Sequence, residues 1–154
     1  MKKILFALLF TPLFATGQKL ITLNDTSFSQ GDVLRAYLHF EFNKPVLTEA
    51  SKPELDSIVA FFLLHKNLVI EVGLHLDARY NPQYSTQLDK RRAKNIVDYM
   101  VSKGIDPARL VYKGYGDNLP IIPEATIKAM RSKEEQEKAH AVNRRTEFKI
   151  IKVN

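Results

Sequence analysis

The sequence contains no cysteine, and this absence excludes two features that are common in exported proteins. No disulfide framework can form, and no N-terminal cysteine is available for lipid modification. The 154 residues are still enough to build one domain with a hydrophobic core that needs neither disulfides nor a structural metal. A single domain is therefore expected.

Motifs for catalysis and for nucleic-acid binding are also missing from the sequence. It has no phosphate-binding glycine loop, no metal-ligand spacing and no nucleophile placed beside a base. These absences favour a non-catalytic protein without a cofactor, a metal or a nucleic-acid partner. The formal charge of +6 is a modest basic excess, which suits either an anionic surface of the cell envelope or ordinary solubility.

Long apolar runs are confined to the N-terminus. Two lysines precede an apolar run at residues 4–15, and small residues follow at positions 15–17. The run is shorter than the roughly 20 residues of a membrane-spanning helix, and it contains a proline. Residues 1–17 are therefore predicted to be a secretory signal peptide that is cut before Gln18, which leaves an exported chain without a transmembrane segment.

A short lead-in, residues 18–32, precedes the regular strand and helix patterns. Its turn residues include Asn24-Asp25 and Gly31. Residues 33–42 alternate between apolar and polar side chains, which predicts a half-buried strand. Ser51 and Glu54 then have the spacing of a capping box, with a proline between them and an apolar helical stripe after them. A strand followed by a helix is expected.

The same alternation of strand and helix continues to the end of the chain. Residues 68–77 predict a second strand, and Asn81-Pro82 predicts the start of a long helix that ends at Gly104. A third strand at 110–116, a charged helical segment and a closing strand at 145–151 follow. This order predicts an α/β domain of the α+β sandwich type over residues 33–154, β-α-β-α-β-(α)-β, with one mixed sheet packed against helices.

One arginine of the long helix lies in its apolar row. Arg92 is one turn after Leu88 and one turn before Ile96, whereas its neighbour Arg91 faces solvent. A guanidinium held near a core keeps its charge and needs an acidic partner or a bound anion. Asp77, at the end of the preceding strand, is the nearest acid in sequence. The spacing leaves open whether this pair only pins the loop to the helix or forms a ligand site.

Five segments, in order, resemble motifs of one family. They are LHFEFNKPVL, IEVGLHLD, LDKRRAKNIVDYMVSKGI, VYKGYGDNLPI and NRRTEFKI. They are similar to the opening strand, the Gly-His-Thr-Asp strand, the Leu-Ser-x-x-Arg-Ala helix, the next strand and turn, and the Asn-Arg-Arg closing strand of the OmpA-like C-terminal domain. OmpA, Pal lipoproteins and MotB stators share this domain. The resemblance covers roughly residues 33–152.

The resemblance implies a function in the cell envelope. Members of the family bind peptidoglycan, so we expect a periplasmic protein, associated with peptidoglycan or the outer membrane, that binds the diaminopimelate of the stem peptide. Asp77 would bind the ammonium of that zwitterionic head and Arg92 its carboxylate. Ser85, Leu88 and Arg144 are further candidate ligand-binding residues. The alternative for Arg144 is an anchor of the last strand.

Several residues differ from the family pattern. Leu74 and Leu76 stand where the family has glycine and threonine, Ser85 replaces an asparagine, and Asp89 replaces a serine. Two leucines in place of small or polar residues could narrow the site or remove a hydrogen bond. The alternative hypothesis is therefore an interaction scaffold that keeps the fold and has lost peptidoglycan binding.

Other residues receive structural interpretations. His75 is interpreted as structural, and Tyr80 and Tyr84 either line the site or pack. The charged run at 128–138 is interpreted as a solvated helix face. A membrane role would require a protein partner of the envelope, and residues 18–32 are the candidate contact.

Overall fold

The computed structural model of the protein describes residues 19–79 and 87–154. Within these ranges there are five strands, which form one sheet, and four α-helices. The strands are β1 (Leu20–Ile21), β2 (Val33–Ala36), β3 (Leu68–His75), β4 (Leu110–Gly116) and β5 (Arg145–Val153). The helices are α1 (Lys52–Leu64), α2 (Leu88–Ser102), α3 (Glu124–Lys128) and α4 (Lys133–Asn143).

The sheet is mixed, with the strand order β1-β2-β5-β3-β4. The last strand, β5, lies in the middle and is antiparallel to both β2 and β3. The two outer pairs, β1 with β2 and β3 with β4, are parallel. The predicted fold class, an α+β sandwich with one mixed sheet packed against helices, is confirmed.

The hydrophobic core lies between one face of the sheet and the helices α1 and α2. Fully or almost fully buried side chains come from both layers: Leu55, Ile58, Phe62, Ile70, Val72, Ile96, Met100, Phe148 and Ile150. Burying one such side chain contributes about 1.5–3 kcal/mol relative to exposure. In the part of the chain that the structure describes, no helix has the length and apolar character needed to cross a bilayer.

The first predicted strand is shorter than its alternating pattern. Pairing ends at Ala36, which lies opposite Thr146 of β5. Because β5 begins at Arg145, no partner strand extends beyond this point. The chain from Tyr37 onward leaves the sheet, and only an isolated bridge between Phe40 and Leu47 continues the extended structure.

The capping box predicted at Ser51 is wrong. A 3-10 turn, Glu49–Ser51, precedes α1, and it puts Ser51 in a helical conformation in which its side chain does not cap the helix. The Ser51 hydroxyl instead accepts a hydrogen bond of 2.8 Å from the backbone N–H of His39. This contact ties the start of α1 to the segment that leaves the sheet.

The long helix α2 starts at Leu88, directly after Gln87, which is left-handed with φ of 61°. The proposed N-cap, Asn81-Pro82, lies outside the described residues, so the predicted start stays a prediction. The other end of α2 lies within them. Its end agrees with the prediction, because Gly104 adopts φ of 103° just beyond Ser102. A left-handed glycine is a common way to end a helix.

Two further elements differ from the sequence-based expectation. The lead-in, expected to form turns, contributes the edge strand β1 and buries Ile21. The charged helical segment is divided into α3 and α4. Ser132 starts α4 with a complete capping box, in which Ser132 and Glu135 each bond the backbone of the other.

Candidate functional site

A cleft of about 760 Å³ opens at the end of the sheet where β3 stops and β5 begins. Its walls come from the segment after β2, the end of β3, the start of α2 and the end of α4. Four of the predicted site residues line it: Asp77, Leu88, Arg92 and Arg144. The other predicted site residue, Ser85, lies outside the described residues, as do Tyr80 and Tyr84.

Asp77 lies at this cleft two residues beyond the end of β3, which is shorter than the predicted strand at 68–77. Leu76, just before it, still donates a backbone hydrogen bond of 2.8 Å to Gly116 at the end of β4. The Asp77 side chain is only 6% exposed. A carboxylate so buried needs several donors to keep its charge.

Two arginines supply those donors. Oδ1 of Asp77 accepts from the backbone N–H of Arg79 at 2.9 Å and from its Nε at 3.2 Å. Oδ2 accepts from Arg79 Nη2 at 2.9 Å and from Arg144 Nη1. Burial raises the pKa of Asp77, but the hydrogen bonds from Arg79 and Arg144 outweigh it and bring the pKa to about 2.

A second acid, Glu137 of α4, completes the cluster. Glu137 accepts from Arg79 Nη1 at 2.7 Å and from Arg144 Nη2 at 2.8 Å, and these bonds lower its pKa to about 2. Asp77, Arg144, Glu137 and Arg79 thus form a closed ring of alternating charge, which we call the charge ring. Within the charged run at 128–138, which was interpreted as a solvated helix face, Glu137 is exposed and also binds both arginines.

Arg92, where α2 lines the cleft, is held by different groups. Its guanidinium lies over the ring of Phe40, with 4.7 Å between the guanidinium carbon and the ring centre. Nε donates to the carbonyl of Lys44 at 3.0 Å, and Nη2 donates to that of Glu41 at 3.4 Å. The acid expected to face Arg92, Asp77, is instead bonded to Arg79 and Arg144 among the described residues.

The leucines that depart from the family pattern form an apolar wall. Leu74 and Leu76 are 3% and 6% exposed, belong to the hydrophobic core and also line the cleft, together with Leu88. Asp89, the third departure, has a structural contact. Its Oδ2 accepts from the backbone N–H of Gly116 at 2.8 Å, which joins the start of α2 to the end of β4.

His75 also lines the cleft, where it belongs to a second polar cluster. Its ring stacks on Tyr115, with 4.7 Å between ring centres and 3° between planes. Nε2 is 3.4 Å from Glu147, which also accepts from Arg145 and Arg35. Burial raises the pKa of Glu147, but the contacts with His75 and Arg145 bring it to about 2. These contacts agree with a structural role for His75.

Three residues at the site were missed by sequence reasoning: Arg79, Glu137 and Phe40. The pattern acid-x-Arg at Asp77–Arg79 is visible in the sequence, but it does not show that the side chain folds back on the acid. Glu137 and Phe40 lie 60 and 37 residues from Asp77 in sequence, so only the tertiary fold brings them to the cleft.

Comparison with known proteins identifies the family. The OmpA family matches residues 39–134, which is more than half of the chain. The chain belongs to the OmpA family. The matched residues contain the strand that leads to Asp77, all of α2 and the start of α4.

Three of the curated relatives are outer-membrane or peptidoglycan-associated proteins. Outer membrane porin F of Pseudomonas fluorescens is 29% identical over 72% of this chain and 31% of its own length. Outer membrane protein A of Bordetella avium is 31% identical over 77% of this chain and 56% of its own. The peptidoglycan-associated lipoprotein of Pseudomonas putida is 31% identical over 63% and 59%. The chain therefore matches less than two thirds of each relative's length.

Solved structures share the fold. A MotB-like protein from Desulfovibrio vulgaris superposes with a TM-score of 0.64 at 24% identity, covering 83% of this chain and 78% of the other. The cell wall anchor of the T6SS from Pseudomonas aeruginosa gives a TM-score of 0.62 at 22% identity, covering 79% and 81%. The predicted OmpA-like resemblance is confirmed, and the relatives agree with the predicted cell-envelope location. They are structural and anchoring proteins rather than enzymes.

Proposed function

We propose that this chain is an exported, non-catalytic domain that binds peptidoglycan non-covalently through the diaminopimelate of the stem peptide. The proposal is supported by one observation above all: Asp77 and Arg92, the residues matched to the family's ligand pair, line the same cleft. An anionic and a cationic group in one cleft suit a zwitterionic amino-acid head. Arg92 would hold the carboxylate, and Asp77 the ammonium.

The surroundings of Arg92 support this role. Its ring contact with Phe40 and its bonds to the backbone carbonyls of Lys44 and Glu41 orient the guanidinium. A planar guanidinium oriented in this way can bind a carboxylate with two parallel hydrogen bonds. Arg144 and Leu88 would lie beside the ligand, since both line the cleft.

Retention on purified peptidoglycan sacculi tests the proposal. Asp77→Asn and Arg92→Ala should each lose about 2 kcal/mol or more of binding, because each removes a charge-assisted contact. Arg91→Ala is the matched control, since Arg91 is the exposed neighbour of Arg92 on α2. The proposal fails if folded Asp77→Asn and Arg92→Ala are retained as well as the parent.

A second candidate function is an interaction scaffold without a peptidoglycan ligand. It is favoured by the hydrogen bonds of Asp77, because both carboxylate oxygens already accept from the side chains of Arg79 or Arg144. The buried leucines Leu74 and Leu76 narrow the same cleft. A folded parent protein that stays in the supernatant at every concentration of sacculi would favour the scaffold.

Export and a protein partner complete the proposal. Removal of residues 1–17 predicts a mature form that begins at Gln18, and mass spectrometry of the exported protein tests this. A partner of the envelope would contact the lead-in, where Leu20 and Leu23 are 55% and 44% exposed. Cross-linking from these positions in intact cells tests that contact, with Leu64, an exposed residue of α1, as the control position.

A further inference from the structure

We infer that the side chain of Arg79 is an internal cation that competes with the ligand's ammonium for Asp77 and so sets the affinity of the site. This inference rests on the proposed function. It concerns the same cleft, but it assigns a role to a residue that the pairing of Asp77 with Arg92 leaves without one.

The first step is the hydrogen-bonding capacity of Asp77. A carboxylate offers about four acceptor positions on its two oxygens. Arg79 fills three of them, with its backbone N–H, Nε and Nη2, and Arg144 fills another. An incoming ammonium therefore cannot bond to Asp77 unless one of these donors leaves.

The second step is the identity of the donor that leaves. The backbone N–H of Arg79 is fixed by the turn, and it can keep its bond to Oδ1. The Arg79 side chain is 46% exposed and follows the strand in a turn, so it can swing outward. Its departure would free one position on each oxygen, Nε on Oδ1 and Nη2 on Oδ2.

The third step is what happens to the charges. An ammonium carries three donors and can occupy the positions that the guanidinium leaves. Arg79 keeps a partner as it moves, because Nη1 donates to Glu137 at 2.7 Å and Glu137 is itself half exposed. Asp77 remains paired with Arg144 throughout. Binding is then an exchange of one cation for another, and the contact given up with Arg79 reduces the net affinity.

Titration calorimetry with two peptides tests the inference. The first probe is L-Ala-γ-D-Glu-meso-diaminopimelate. The second carries 2-aminopimelate at the third position, which lacks the distal ammonium of diaminopimelate. Arg79→Gln should bind the first probe about two- to fivefold more tightly than the parent, the range expected for losing a half-exposed ion pair. It should bind the second probe no more tightly than the parent does.

A control and three contrary outcomes make the test decisive. Arg131→Gln removes the same charge from an exposed position between α3 and α4 and corrects for long-range attraction of the anionic probes. If Arg79→Gln binds the first probe no more tightly than the parent does, the inference is overturned and the proposed function is left intact. An equal gain on both probes also overturns it. If neither protein binds either probe, the proposed function and the inference both fail.

Discussion

Arg92 lies over the face of Phe40, with 4.7 Å between the guanidinium carbon and the ring centre. The two residues are 52 positions apart in sequence, and the turn at residues 41–45 connects them further, since its carbonyls accept from Arg92 and from Asn95. The orientation of the proposed carboxylate ligand therefore depends on a segment that leaves the sheet early. A substitution of the uncharged residue Phe40 can test whether the position of Arg92 affects binding.

Phe40→Leu should weaken retention on sacculi. Leucine keeps most of the apolar volume but removes the ring face, and a cation–π contact at a partly exposed site contributes about 0.5–1 kcal/mol. We expect a two- to fivefold loss of binding, an estimate converted from that energy. Phe28→Leu is the control, because Phe28 packs on Phe61 and His65 away from the cleft. Equal losses in both variants would show that Phe40 acts only through stability.

Acid should destabilise the domain through Glu147. Its pKa in the folded protein is about 2, below the ordinary value of 4.5, so the unfolded chain takes up a proton first as the pH falls. The stabilisation from Glu147 is thus complete above about pH 5 and is lost progressively toward pH 2. The side chain is 13% exposed, so we expect this contribution to be on the order of 2 kcal/mol.

Urea unfolding of the parent and of Glu147→Gln at several pH values measures this contribution. The variant should be less stable at pH 7, and its stability should fall less between pH 5 and pH 2.5. Glu134→Gln is the control, since that side chain is 77% exposed. Between pH 5 and pH 2.5, the free energy of unfolding of this control should fall by as much as that of the parent. Parallel curves for the parent and Glu147→Gln would contradict the assignment.

Gly114 should not tolerate a side chain. A Cβ built at this position of β4 would lie 2.7 Å from the backbone nitrogen of Lys90 and would also clash with the Asp89 carboxylate. These atoms belong to the first turn of α2, which bears Arg92. Gly114→Ala should therefore lower the free energy of unfolding by about 1–3 kcal/mol, whereas Lys113→Ala, at an exposed neighbour, should change it little. Equal urea midpoints for Gly114→Ala and the parent would show that α2 can shift to accept the added methyl group.

The strands and the core could be predicted from the sequence where periodicity and burial agree. In β5, Thr146, Phe148 and Ile150 alternate with partly exposed residues, and the predicted strand begins at Arg145, as the structure has it. In residues 33–42 the same alternation overestimates the strand, because the length of β2 is set by where its partner β5 begins. Alternation reports which residues face a core, and it does not report whether a neighbouring strand is present.

The site could be predicted only in part. The sequence predicted Asp77 at the end of the second strand and Arg92 in the long helix. The structure puts Asp77 two residues beyond the end of β3 and Arg92 in α2, and both line one cleft. The charge ring was not predicted, because it depends on the side-chain direction of Arg79 and on the tertiary fold that brings Glu137 of α4 within reach of Arg79 and Arg144. One missed signal was available: Ser132 and Glu135 have the spacing of a capping box, which would have divided the charged segment into two helices.

The departure at Leu76 leads to the last prediction. Leu76 stands where the family has threonine, directly before Asp77, and it is 6% exposed, lies in the core and lines the cleft. Leu76→Thr would put a hydroxyl at the cleft wall at the expense of packed methyl groups. Stability should fall by about 1–3 kcal/mol, whereas Leu64→Thr, at an 81% exposed position, should cost within about 0.5 kcal/mol.

Binding should change in the opposite direction from stability. If the hydroxyl restores a polar contact, Leu76→Thr should bind a diaminopimelate-containing peptide more tightly by about 0.5–1.5 kcal/mol, the contribution of one neutral hydrogen bond. Calorimetric titration reads the affinity, and melting curves confirm that the variant is folded at the titration temperature. A parent that already binds tightly and a variant that binds equally well would show that Leu76 is only a core residue. A folded variant and parent that both fail to bind would favour the scaffold, because the cleft would then lack affinity for reasons that one restored hydroxyl does not remove.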